Sequence, residues 1–171
     1  MEKNKSKQYN GFSLIEVLFY VSMLSVFILV LSTFWGTLQD VQLKGRAMNT
    51  VSTEAAFMLN KITQSIRNAS SITAPLPGSS ANSLTLASTT PTENPTIFDL
   101  NNGNVRISSG ASPYTNLNSP WVTVTNLTFT NLTGANAKGV IRIQMTVSYK
   151  NTDATANQNY VQAFYATAAI K

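Results

Sequence analysis

The sequence predicts an α+β protein, with a long N-terminal α-helix, membrane-spanning in its first half and amphipathic in its second, packed on a C-terminal antiparallel β-sheet. Three observations predict this. Residues 12–35 are apolar with Glu16 as their only charge, residues 38–69 repeat apolar side chains at mostly three- and four-residue spacing, and beyond residue 83 apolar and polar residues alternate.

The first run, Phe12 to Trp35, holds 24 residues. As a helix it spans roughly 36 Å, enough to cross a hydrocarbon core of about 30 Å. After Trp35 the apolar positions are Leu38, Val41, Met48, Val51, Ala55, Met58, Leu59, Ile62, Ile66 and Ala69, with Lys44, Asn49, Ser52, Lys61, Gln64 and Arg67 mainly off that stripe. This pattern continues the helix to about Ser70 and turns one face to a folded domain. The alternative is two helices broken at Gly36 or Gly45, since each glycine costs about 1 kcal/mol relative to alanine inside a helix. One helix with two soft points is the preferred reading, as no proline occurs before Pro75.

Past residue 70 the composition turns to Ser, Thr, Asn, Pro and Gly, and "SITAPLPGSSANS" reads as an exposed connection. "SLTLAS" (83–88) then alternates, and "TIFDL" (96–100) and "VRIS" (105–108) flank Asn102-Gly103. That dipeptide predicts a hairpin, because both of its residues tolerate positive φ. In "WVTVTNLTFT" (121–130) the apolar phase slips between Val124 and Leu127, which predicts a bulge or turn at Thr125-Asn126. The clearest strand is "VIRIQMTVSYK" (140–150), with Ile141, Ile143, Met145, Val147 and Tyr149 on one face. A loop, "NTDATANQN", separates it from a last strand, "YVQAFYATAAI" (160–170). The expected sheet has about five or six strands.

Composition narrows the function. The 171 residues suit one modest domain plus an anchor. There is no cysteine and no histidine, which removes thiolate nucleophiles, disulfides, imidazole bases and the usual zinc or haem ligands. The net charge is +5, but Lys3, Lys5 and Lys7 lie at the very N-terminus; without residues 1–11 there are 9 basic and 6 acidic residues, or +3. No dense Lys/Arg patch remains, so nucleic-acid binding is possible but not indicated. The early lysines favour an N-terminus in the cytoplasm and a body carried across the membrane. The apolar run is too long for a secretory signal, and "STFWGTLQD" at its far end offers no small-x-small cleavage site.

The stretch "KQYNGFSLIEVL", Lys7 to Leu18, closely resembles the class III signal of type IV prepilins and pseudopilins. The resemblance implies that residues 1–11 are a basic leader, removed by a membrane aspartyl peptidase that cuts between Gly11 and Phe12 and then methylates Phe12. It implies that residues 12–36 form the transmembrane and filament-core helix, and that residues 37–171 continue into an exported, pilin-like β-rich domain. Gly11 suits this role because a residue without a side chain lets the backbone approach a catalytic dyad closely.

Glu16 is costly in lipid, about 2.5–3.5 kcal/mol for an acid at a helix centre and less near an interface. Nothing in its own helix places a positive side chain within reach. One reading has it near the cytoplasmic interface, reaching towards headgroups and water. The resemblance implies another, in which the Phe12 amine of a neighbouring subunit pairs with Glu16 and assembly relieves the buried charge. The implied partners are the prepilin peptidase/methyltransferase, other pilin or pseudopilin subunits, the inner-membrane assembly platform and, before assembly, membrane lipid. The body is loosely similar to minor pilins and J-type minor pseudopilins through "EAAFMLNKITQSIRNASSI" and "SPWVTVTNLTFT", and it lacks the cysteine pair of many major pilins.

No catalytic residue, cofactor or metal site is expected. "DLNNGN" (99–104) gathers oxygen-bearing side chains but lacks the residue order and late Glu of a calcium loop, and the hairpin accounts for it. Glu54, Glu93, Asp99 and Asp153 are scattered over different elements. N-x-[ST] sequons such as those at Asn68, Asn126 and Asn131 are common by chance in so Asn/Thr-rich a chain. Trp121 and the tyrosines are expected to complete the core or an interface. Three function classes follow: a structural filament subunit, a DNA- or ligand-binding subunit of an uptake filament, and an unprocessed single-pass anchor carrying a binding domain.

Overall fold

The computed structural model describes residues 13–135, 137–150 and 159–171. Among the described residues one helix, α1 (Leu14–Asn68), precedes nine strands: β1 (Ser71–Ala74), β2 (Ser80–Ala81), β3 (Leu84–Ala87), β4 (Thr96–Asn101), β5 (Asn104–Ser109), β6 (Thr115–Asn116), β7 (Val122–Asn131), β8 (Val140–Tyr149) and β9 (Val161–Ala169). A single 3-10 turn, Pro91–Glu93, separates β3 from β4. The chain divides into two compact units, Met1–Gln42 and Leu43–Lys171.

Gly36 and Gly45 both lie inside the 55-residue helix, which ends at Asn68, two residues before the expected stop. Its buried positions are Ala47, Val51, Ala55, Met58, Ile62 and Ile66, with Ala69 just beyond its end. Their spacing alternates fours and threes in an eleven-residue period, the repeat of a nearly straight helix that keeps one face inward. The expected stripe began too early: Leu38, Val41 and Met48 are exposed, and burial starts at Ala47. Three- and four-residue spacing marks a face that can be buried, while packing partners decide where burial begins.

The expected single sheet is instead two antiparallel sheets, ordered β1-β3-β4-β5-β6 and β2-β7-β8-β9. The first is built from neighbouring hairpins and the second is closed by a distant pairing, Ser80 with Thr130 and Ala81 with Phe129. The supposed connection "SITAPLPGSSANS" supplies β1 and β2 to the two sheets. Such short strands are held by partners elsewhere, so their own residues carry no usable period. Both sheets face one core, where Leu84, Leu86 and Phe98 from the first meet Leu127, Phe129, Ile143 and Met145 from the second and the buried stripe of α1. Trp121, 56% exposed, stays out of it.

Several local expectations hold. Asn102 and Gly103 join β4 to β5 with φ of 50° and 76°. The β7–β8 register shifts between Val124 and Asn126, where the apolar phase slips. Along β8, Ile141, Ile143, Met145 and Val147 are buried and Arg142 is exposed. The loop read at "NTDATANQN" falls, for residues 151–158, outside the described residues.

Candidate functional site: the apolar helix and its acid

The first turn of α1 sets the surroundings of Glu16. The Ser13 carbonyl accepts from the N–H groups of Glu16 (3.0 Å) and Val17 (3.2 Å), so Ser13 occupies the N-cap position and Glu16 the third helical one. Ser-x-x-Glu is the residue pattern of a capping box, a signal present in the sequence but hidden behind the expectation of a charged partner. A carboxylate here also faces the positive end of the helix dipole, worth about 0.3–1 kcal/mol at an exposed site.

The Tyr20 hydroxyl, one turn on, donates to Glu16 Oε1 at 3.4 Å. This is long for an O–H···O bond, and it gives the acid a neutral partner within its own helix. No other acidic or basic residue follows before Asp40. Three hydroxyls within the apolar stretch are turned back on the helix: Ser22 donates to the Phe19 carbonyl (2.8 Å), Ser25 to Val21 (2.8 Å) and Thr33 to Val30 (2.9 Å). Such groups need no water, which a hydrocarbon environment would deny them.

The side chains that remain are apolar on every side. Phe19, Phe27, Leu29, Phe34 and Trp35 are each more than half exposed. The most apolar 18-residue window of α1 has a mean hydropathy of 2.5 and no buried residue, so this helix is long and apolar enough to cross a membrane. Gly11 and Phe12 lie outside the described residues.

The other candidate residues are accounted for structurally. Asp99, the only carboxylate of "DLNNGN", is held by Arg106 through two bonds, Nε to Oδ1 at 2.9 Å and Nη2 to Oδ2 at 2.6 Å. The Arg106 guanidinium sits 4.4 Å from the Tyr114 ring centroid, and the hydrogen bond to Asp99 raises its pKa above the usual value. Glu54 accepts from the Ser119 N–H at 3.2 Å, tying α1 to the segment before β7. No group of three or more His, Cys, Asp or Glu that could hold a metal occurs among the described residues. Of the sequons, Asn68 and Asn126 are exposed, whereas Asn131 is 1% exposed and its Nδ2 donates to the Pro75 carbonyl at 2.7 Å.

No family model, curated protein or solved structure matches the chain. What the molecule itself offers is therefore a membrane-length helix with one acid in its first turn, followed by an α+β body.

Proposed function

We propose that the chain is a structural subunit, of the minor pilin or pseudopilin kind, of a type IV pilus-like filament. In this reading prepilin peptidase cuts between Gly11 and Phe12, Phe12 is N-methylated, and the released helix packs among its neighbours. The observation that carries the reading is Glu16, the one acid of the exposed apolar stretch Leu14–Trp35 of α1, placed in the first turn of the helix and five residues after Gly11. An apolar surface over the whole circumference suits lipid first and other helices afterwards. The Tyr20 hydroxyl partly satisfies the acid while the subunit waits in the membrane, and the Phe12 amine of a neighbour is the stronger, charged partner. The minor subunit then presents its two-sheet body outside the membrane.

The test is made on the full chain, co-expressed with a prepilin peptidase. Mass spectrometry is expected to show loss of residues 1–11 and a methyl group on Phe12, and Gly11→Leu is expected to leave the precursor uncut. A chain that keeps its full mass beside an active peptidase would leave an unprocessed single-pass protein as the better reading. Glu16→Gln and Glu16→Ala then separate charge from capping. Gln preserves the Ser-x-x-Gln capping pattern but not the charge, so both variants are expected to be processed and neither to be incorporated normally. Normal incorporation of Glu16→Gln alone would show that Glu16 acts as a cap.

A further inference from the structure

The two sheets have four lateral edges, and three of them are short or interrupted. β6 and β2 are two residues long, and β1 has four residues with a register irregularity between Ile72 and Ala74. Where β7 runs past β2, the Val124 N–H is taken by the Gly103 carbonyl at 2.9 Å, so the β4–β5 turn covers part of that side. The fourth edge is different. β9 is nine residues long, pairs in continuous register with β8, and contains no charge, no proline and no bulge. Edges of this kind accept further strands, and proteins normally blunt them.

The direction of its backbone groups follows from the pairing. Tyr160 O accepts from the Tyr149 N–H at 2.8 Å, and the Ile170 N–H donates to Gly139 O at 2.9 Å, so even-numbered residues turn their backbone groups to β8. The N–H and C=O groups of Val161, Ala163, Tyr165, Thr167 and Ala169 therefore point away from the sheet. Among the described residues none bonds to them. Their side chains are exposed too, Val161 by 59% and Tyr165 by 64%. The free edge stops at Ala169, because the Lys171 N–H meets the Arg67 carbonyl at 3.4 Å.

Charge is distributed unevenly along this edge. At its C-terminal end stand Lys171, Arg67 and Lys138, with Arg142 opposite Thr167; Lys150 marks the other end. Lys138 and Lys171 line one depression together with Gly139 and Ile170. The described strands of this sheet and these flanks carry no acid. Arg142 lies two strand spacings, about 10 Å, from any strand added to β9, within reach of two long side chains extending towards each other. An antiparallel second copy would set these bases against the Lys150 end of its own β9, basic against basic, whereas a segment with an acidic N-terminal end would be attracted.

We propose that the β9 edge is a docking site for an extended segment of another protein, added antiparallel, uncharged over its pairing residues and acidic at its N-terminal end, which meets Lys138, Arg142 and Lys171. Backbone bonds to the five outward residues supply the binding, and the basic end sets direction and partner. This goes beyond the filament reading, and it can be tested whether or not the chain is processed or assembled.

Amide hydrogen exchange on the full chain in zwitterionic micelles reads the site directly. The probe is a synthetic undecapeptide of two glutamates followed by nine alternating threonines and valines, compared with the same peptide carrying two lysines in place of the glutamates. In the free chain the five outward amides are expected to exchange quickly and the inward ones slowly. The glutamate peptide should slow the outward five by about tenfold or more without changing the inward set, the alternating signature of an added strand. The lysine peptide should bind at least about tenfold more weakly, and added salt should reduce the difference.

Exchanging Lys138 and Lys171 for glutamate leaves the core untouched and should reverse the preference between the two peptides. Thr167→Pro removes one outward donor while sparing the bonds to β8, and should abolish protection. Protection of the outward amides without peptide would overturn the proposal. If independent of protein concentration, it would mean that the chain covers its own edge; if it grows with concentration, the occupant is a second copy. Equal responses to the two peptides, uniform protection along β9, or no response to either would also overturn it.

Discussion

Two stretches of α1, Leu14–Trp35 and Ala47–Ile66, are both rich in apolar residues and end up in opposite circumstances. The first buries nothing, with Phe19, Phe27 and Trp35 all more than half exposed, while the second buries Ala47, Val51, Ala55, Met58, Ile62 and Ile66 to within 1%. The difference is in arrangement. The first stretch is apolar over its whole circumference, so no single protein face could cover it. The second gathers most of its apolar residues, Met48 and Phe57 apart, on one stripe and places Lys61 and Gln64 elsewhere. Apolar content marks what must leave water, and its angular spread tells whether lipid, other helices or the chain's own sheets will receive it.

The largest expected effect tests this contrast directly. Phe129, on β7 opposite Ile143 of β8, is fully buried, and Phe27 is 59% exposed. Phe129→Ala is expected to destabilise the body by about 3–5 kcal/mol, through lost transfer energy and the cavity left behind. Phe27→Ala should change the same quantity by less than about 0.5 kcal/mol. Denaturant unfolding of the full chain in micelles, followed by near-UV circular dichroism, measures both. Similar losses from the two variants would break the division of labour between the stretches.

The next effect compares polar groups. Asn131 is buried, its Nδ2 bonded to the Pro75 carbonyl at 2.7 Å and its Oδ1 accepting from the Thr133 N–H at 3.0 Å. Asn131→Ala leaves those partners unpaired away from water and should cost about 1–3 kcal/mol. Thr33 in the apolar stretch donates to carbonyls of its own helix, and these already take part in the helical ladder. Thr33→Val should therefore leave no broken bond behind and shift body stability by less than about 0.5 kcal/mol in the same experiment. A large loss from Thr33→Val would mean that its hydroxyl serves more than its own turn.

The elements legible in the sequence are those whose cause is local. The alternation of β8, the Asn102-Gly103 turn and the phase slip at Thr125 each follow from a few consecutive residues, and each is present. The strand β2 and the division into two sheets were not legible, because Ser80 and Ala81 become a strand only through Thr130 and Phe129. The start of the buried stripe was missed for a related reason, as Leu38 and Val41 continue the spacing but lack a partner surface. At the candidate site Glu16 was visible as a charge out of place. Tyr20 was not, because a lone acid in an apolar run points first to a cation, although a hydroxyl one turn away can also bond a carboxylate.

Glycines sharpen the comparison at smaller magnitude. Gly110 adopts φ +58°, and a Cβ there would clash with the Thr92 carbonyl oxygen. Gly110→Ala must therefore move backbone as well as accept a strained φ, and is expected to cost more than about 1 kcal/mol. Thermal unfolding of the body should register this as a lowered midpoint. An unchanged midpoint would mean that the 3-10 turn at Pro91–Glu93 yields without cost.

Gly45 is expected to behave in the opposite sense. It is helical and exposed, a Cβ there would meet nothing within 4 Å, and no turn or close approach explains the absence of a side chain. Gly45→Ala should therefore stabilise α1 by about 0.5–1 kcal/mol, by reducing the backbone entropy lost on folding. The fold then gives no reason for a glycine here. If Gly45→Ala raises the unfolding midpoint of the isolated chain and also lowers its incorporation into filaments beside a processed wild-type control, the glycine serves assembly, through helix bending or close approach of a neighbour. A higher midpoint with unchanged incorporation would show that Gly45 is a stability cost without a role in assembly. No gain in stability at all would mean that the helix around residue 45 is already limited by something other than its backbone entropy.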